Sequence, residues 1–307
     1  MLTEPRDEEF TSVYKSEAIQ RGQVVPLVYD TYFYAKDKAA GDVNSHSSPI
    51  QKKAYVYLPY GYNEKVQYNV LYLLHGGGDT AESWFSMRDT ESAAAGEGYG
   101  VYILDNLFAR GEAEPCIVVT PGMYDMGEGE ELTSVRGNIP DCFAYELRDL
   151  IVAVESTYST WAKDISHEGL VSSRDHRAMA GLSMGSITTW HSGIVQNLDI
   201  ISWFCNMSGG PSADEAEAVT YTEEKIIPAL QEGEKSGYGI NMMLSINGIR
   251  DMALEPHVKT HLALLKLAEN SKILTVGENY DFVVLNGAHM WTAWDIGLYN
   301  LMQVFFR

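Results

Sequence analysis

The 307-residue sequence is short of several things, and each shortage removes a class of function. No run approaches the ~20 consecutive apolar residues that a membrane-crossing helix needs. Basic side chains are scarce: 22 Lys and Arg stand against 42 Asp and Glu, a formal net charge of −20. That balance argues against nucleic acid and membrane surfaces as partners. Cysteine is limited to Cys116, Cys142 and Cys205, without the spacing of a metal site or a disulfide framework. Cys116 and Cys205 lie in the apolar runs "CIVVT" and "WFCNM" and read as small buried hydrophobes. Internal repeats, proline-rich linkers and low-complexity blocks are missing, so residues 1–307 read as a single domain, with the segment 1–20 poorly defined. The first residues, "MLTEPRDEEFTSVYKSE", contain no hydrophobic signal segment. This is expected of a cytoplasmic chain, or of a mature form whose signal has been removed.

What is present points to an α/β protein. Hydrophobic residues make up 45% of the chain, enough for a large packed core. Apolar runs bounded by turn residues predict strands near 23–34, 52–58, 69–75, 115–120, 177–182, 200–207, 241–247 and 280–286. Helices are predicted near 100–110, 142–157, 185–196, 223–232, 255–269 and 290–305. The first two strands are expected to pair antiparallel. From "NVLYLLH" onward strands alternate with helices, the pattern of a mainly parallel eight-stranded sheet with helices on both faces. Residues 36–51 and 121–141 read as long loops, the second with an acidic, solvated tip.

Residues 177–190 read "RAMAGLSMGSITTW", a Gly-x-Ser-x-Gly between a predicted strand and a predicted helix. Glycines two before and two after Ser183 let strand and helix approach closely, so that the serine Oγ projects beyond the strand's carboxyl end. This is the nucleophile position of an α/β-hydrolase fold, whose acid and base follow in the order Ser, acid, His. His191 comes two helical turns later and points away. His257 and His261 have i, i+4 spacing, but no glutamate follows the first and no third ligand is evident, so no metal is expected. His289 follows the strand "DFVVLN" in the turn "GAHMW", where a general base belongs. Asp251, just beyond "NMMLSIN", is the acid that would orient it, with Glu255 in reserve. Backbone amides of Met184 and of Gly77 in "HGGGD" are the expected oxyanion donors, with Gly78 alongside. Trp84, Tyr124 and Trp291 are candidate aromatic walls for the acyl group.

Five stretches carry a more specific signal: "VYLPYGYNEKVQYNVLYLLHGGGD", "EPCIVVTP", "ELRDLIVAVESTYST", "SSRDHRAMAGLSMGSITTW" and "GAHMWTAWDIGLYNLMQVFF". They resemble the feruloyl esterases of carbohydrate esterase family 1, in particular the modules of bacterial xylan-degrading enzymes. The resemblance implies Ser183 as nucleophile, His289 as base, Asp251 as acid, and backbone donors at Gly77 and Met184. It also implies a feruloylated oligosaccharide or xylan as substrate, no metal or organic cofactor, and an extracellular setting. The chain departs from the family at Ser186, where a second glycine is common, and at Pro211 and Ser212, where aromatics are common. It also carries the long 121–141 loop with Tyr124, so the acyl and sugar pockets are expected to differ. An acetyl xylan esterase and an S-formylglutathione hydrolase-like esterase are the alternatives; the latter calls for basic residues around two carboxylates. A non-catalytic carbohydrate-binding protein is a third reading, against which the intact Ser, Asp and His set argues.

Overall fold

The computed structural model describes residues 10–85, 98–124 and 135–307. Its eight strands are β1 (Gln23–Tyr32), β2 (Pro49–Leu58), β3 (Asn69–Leu74), β4 (Cys116–Pro121), β5 (Arg177–Leu182), β6 (Trp203–Met207), β7 (Met242–Gly248) and β8 (Tyr280–Leu285). They form one sheet in the order β1-β2-β4-β3-β5-β6-β7-β8. β1 pairs antiparallel with β2 from Gln23↔Leu58 to Tyr32↔Pro49, and β2 antiparallel with β4. Every pairing from β4 through β3 to β8 is parallel.

The helices are α1 (Tyr34–Ala39), α2 (Gly100–Ala109), α3 (Ile139–Thr157), α4 (His167–Ser172), α5 (Met184–Thr188), α6 (Glu215–Tyr221), α7 (Ile227–Ser236), α8 (Leu254–Ala268) and α9 (Trp291–Met302). α5 continues as a π-turn through Thr189–Ile194, and a second π segment, Thr222–Ile226, joins α6 to α7. A strand buried on both faces is apolar wherever no buried partner pairs a polar side chain, and β5 is apolar from Ala178 onward, with Arg177 at its start bonded to Glu155. Its Met179 joins one core with Leu150 and Val154 of α3, Trp190 and Leu264. Ala178, Ala180 and Leu182 join the opposite core with Leu104 of α2 and Leu298 of α9. The period-2 alternation thus sorts one strand between two helical layers, the architecture of an α/β-hydrolase.

Some predicted boundaries move, for local reasons. The 36–51 loop is shorter, because α1 covers its start and β2 begins at Pro49. β2 gains residues 49–51 at its start by pairing with the end of β1, from Tyr32↔Pro49 to Asp30↔Gln51; its Lys52 is buried against Glu146, with Nζ 2.8 Å from Oε1. The helix predicted at 223–232 begins at Glu215, where the Asp214 side chain accepts the Glu217 amide at 3.0 Å. α4 was not anticipated; Ser166 caps it by accepting the Gly169 amide at 3.1 Å.

Candidate active site

β5 ends at Leu182, and the next residue turns the chain sharply. Ser183 has φ 53° and ψ −116°, a positive φ that costs a non-glycine residue energy and is kept only where the surroundings enforce it. They do so here. A Cβ on Gly181 would sit 2.3 Å from the Gly185 carbonyl oxygen, and one on Gly185 2.6 Å from the His75 carbonyl oxygen. Only hydrogen fits at either position. The Ser183 amide donates to the Met207 carbonyl at 2.9 Å, so β6 holds the corner from the side.

The loops after β7 and β8 bring two more side chains to this corner. His289 Nε2 lies 2.9 Å from Ser183 Oγ, and its Nδ1 lies 2.8 Å from Asp251 Oδ1. An ionised carboxylate only accepts, so Nδ1 carries the proton and Nε2 is left to receive the serine hydroxyl. Burial works to raise the Asp251 pKa. Hydrogen bonds from His289, Ser208 and the Ala253 amide outweigh it and hold the carboxylate below its ordinary range. Glu255 lies exposed in the first turn of α8. The structure therefore brings together Ser183, His289 and Asp251 and leaves Glu255 outside.

Gly77 and Met184 meet beside the serine. A Cβ on Gly77 would approach Met184 Cγ to 3.1 Å. As the first residue of α5, Met184 has an amide without an intrahelical acceptor. Behind this pair stands His75, which the sequence reading passed over. Its Nε2 accepts the Met123 amide at 3.2 Å, so its Nδ1 bears the proton and donates to the Gly76 carbonyl at 2.8 Å. Burial pushes its pKa down to about 4, which keeps the ring neutral. His75 thus ties the glycine loop to the end of β4.

A cavity of about 460 Å³ opens over Ser183 and His289, walled by Gly76, Gly77, Asp79, Met290, Trp291 and Trp294. Of the aromatic candidates only Trp291 lines it. Trp84 does not: it is fully buried, donates its indole N–H to the Leu74 carbonyl at 3.0 Å, and meets Trp291 edge-on at 5.1 Å. It props the wall from behind. Tyr124 lines a neighbouring cavity of about 380 Å³ with Lys53, Tyr55, Asp79 and Glu82. There the Arg136 guanidinium sits 5.0 Å from its ring centroid. Gly78, at φ 89°, is exposed and lies outside the residues that line the Ser183 cavity. The acidic tip of loop 121–141 falls outside the described residues.

The departures noted in the sequence are structural ties. Ser186 donates to the Gly209 carbonyl at 2.6 Å, clasping the loop after β6 against α5. Ser212 accepts the Asp214 amide at 3.1 Å at the start of α6, and the Pro211 carbonyl lies 2.8 Å from His191 Nε2. Neither residue borders the Ser183 cavity. His191 also faces Asp141 Oδ1 at 2.8 Å and stacks on Tyr221. His257 Nδ1 meets Asn247 Oδ1 at 2.6 Å, and His261 Nδ1 meets Tyr280 Oη at 2.7 Å. Among the described residues no group of His, Cys, Asp or Glu has a metal-holding arrangement. Two further members escaped the sequence reading: Ser208, at φ 55°, and Trp294, whose indole N–H donates to Ser208 Oγ at 2.8 Å. The run "MSGG" was the signal for Ser208, and Trp294 lies in the stretch "GAHMWTAWDIG".

A sheet of this order, with a serine on a strained strand-to-helix corner and a histidine and aspartate from later loops, defines an α/β-hydrolase. No family model matches the chain. It is 35% identical over 208 residues, 67% of its length, to endo-1,4-beta-xylanase Y of Acetivibrio thermocellus; the match takes in 17% of that larger protein. A feruloyl esterase module from Clostridium thermocellum, solved in complex with sinapinate, superposes with a TM-score of 0.72 at 27% identity, over 100% of this chain and 94% of that one. The ferulic acid esterase of carbohydrate esterase family 1 from Anaeromyces mucronatus superposes at 0.68 and 20% identity, over 96% and 95%. The chain's structural neighbours are thus feruloyl esterase modules of carbohydrate esterase family 1.

Proposed function

We propose that the chain is a single serine esterase domain that releases ferulic or p-coumaric acid from arabinoxylan-type polysaccharide. The observation that carries the proposal is the continuous relay from Ser183 through His289 to Asp251, at 2.9 and 2.8 Å, at the floor of a cavity with an aromatic wall. In the first step the Ser183 hydroxyl proton passes to His289 Nε2 as Oγ bonds to the ester carbonyl carbon. The resulting oxyanion faces the amides of Gly77 and Met184, whose dipoles are fixed before the charge develops. The tetrahedral centre then collapses, its bond to the sugar oxygen breaks, and His289 returns the proton to that oxygen. A water deprotonated by His289 attacks the acyl-enzyme, releasing the free acid and Ser183.

The acyl preference follows from the wall. Trp291 offers a planar apolar surface with Met290 beside it, and burying a phenyl ring contributes about 25 cal/mol per Å² before ordering costs. A feruloyl ester should therefore exceed an acetyl ester of the same alcohol in kcat/KM by at least about tenfold, or about 1.4 kcal/mol. A serine-directed phosphonate should label Ser183 and abolish both activities. Preference for the acetyl ester would replace the feruloyl reading with acetyl esterase, and label on another serine would overturn the nucleophile.

A further inference from the structure

The amino ends of β3, β4, β5, β6 and β7 lie at the end of the sheet opposite the Ser183 cleft. There a cavity of about 360 Å³ lies among Gln67, Asn69, Glu114, Asn241 and the ring of Trp161. Trp161 is 40% exposed, unusual for so large a ring. It is also rigidly mounted. One face lies flat on His176, with ring centroids 4.2 Å apart and planes within 10°. His176 Nδ1 is in turn fixed on Asn69 Oδ1 at 2.7 Å. The preceding residue, Thr160, pairs as a β-bridge with Tyr68, immediately before β3. A braced aromatic plane at the rim, edged by amide and carboxylate groups, is a combination that a folded chain gains nothing from exposing.

The chemistry of the rim limits what it fits. Carboxylates of Glu114 and Asp175 line it with one cation, Arg307, whose guanidinium donates to the Glu112 carbonyl; in a chain of net charge −20 this balance disfavours polyanions. The polar groups exclude a purely apolar ligand, because burying them unpaired costs free energy. A neutral sugar ring meets both conditions: its C–H face lies on the indole and its hydroxyls reach the amides and carboxylates.

We propose that this cavity is a second carbohydrate site, which holds a neutral stretch of glycan at the edge of the sheet opposite the Ser183 cleft. The choice of xylan as that glycan rests on the esterase reading above; the aromatic platform does not. A strand of the length of β5 separates the two sites by roughly 20 Å at ~3.3 Å per residue. One polymer can engage both, so the second site raises the local concentration of esters around Ser183.

The test uses soluble xylan stripped of its esters, in affinity electrophoresis of the whole chain. Xylan should retard the wild type. Trp161→Ala should weaken the apparent affinity at least fivefold, Trp161→Phe should retain most of it, and Asn241→Ala should weaken it. All three should hydrolyse methyl ferulate within twofold of wild type, and polygalacturonate should retard none. Equal retardation of Trp161→Ala and wild type, or no retardation of the wild type, overturns the proposal. So does a xylan-independent dimer that Trp161→Ala dissociates. If Trp161→Ala misfolds, the Phe and Asn241 variants decide. Retardation that depends on Trp161 in a chain inactive on methyl ferulate would sink the esterase reading alone, and hydrolysis without retardation would sink the second site alone.

Discussion

Arg177 and Ser183 bracket a single strand, and their surroundings are built on opposite principles. Arg177, 1% exposed, spends its guanidinium entirely inside the protein: Nε on Glu155 at 2.6 Å, one amino group on the carbonyls of Leu170 and Ile200, the other on Ser173 Oγ. Its charge is paired and its donors are used. Ser183 is held at a positive φ, and its hydroxyl has one functional partner, with an open cavity above it. The comparison teaches how strain is afforded. A corner costing ~1–3 kcal/mol persists only when the surrounding structure over-determines it, and the amino end of β5 is one place where this chain does so.

The sharpest way to break the contrast is at the open end. Asp251→Asn should lower kcat on methyl ferulate by about 10⁴, because an amide favours the wrong imidazole tautomer and cannot stabilise the imidazolium. Glu255→Gln, changing an exposed carboxylate, should stay within a few-fold; steady-state kinetics of the two variants separate them. A reversed result would make Glu255 the acid.

At the closed end the loss should appear in stability rather than rate. Arg177→Met leaves Glu155 buried without its cation, and breaking such a pair costs about 3–5 kcal/mol. Urea denaturation should register this, while kcat below the melting range changes less than threefold. Replacing Glu155 by Met as well should recover much of the loss, since the uncompensated charge goes with it.

The smallest effect belongs to His75, behind the glycine loop at the open end. An unfolded chain takes up an imidazole proton near pH ~6.5, whereas folded His75 refuses it until about 4. Its contribution is therefore whole above pH ~6.5 and is lost as the pH falls toward 4, in total about 3 kcal/mol. Buried His257, whose pKa burial pushes to about 3, acts in the same direction. His75→Gln should flatten the fall in stability over that window, as read from denaturation midpoints at a series of pH values.

Much of this was legible in the sequence because buried parallel strands read as unbroken apolar runs, and strand ends locate the loops that hold Ser183, Asp251 and His289. What stayed hidden depended on direction. Trp84 follows the glycine loop closely in sequence and looked like a wall, yet its indole N–H is drawn inward to the Leu74 carbonyl. Tyr124 is pulled into the next cavity, where its ring stands edge-on to His75. The start of β2 stayed hidden because residues 49–51 open on a proline and carry no alternating pattern, and only their pairing with the end of β1 makes them strand. Trp161 carries no pattern at all; only the flat contact with His176 marks it.

The edge position of β8 has a consequence for timing. Among the described strands this one pairs with β7 alone, and the loop that follows it delivers His289. Edge elements with one neighbour open at lower free energy than the sheet's interior. On the esterase reading, ester hydrolysis should report on the last strand to dock: on heating, activity should fall before the far-ultraviolet signal, and on refolding it should return after it.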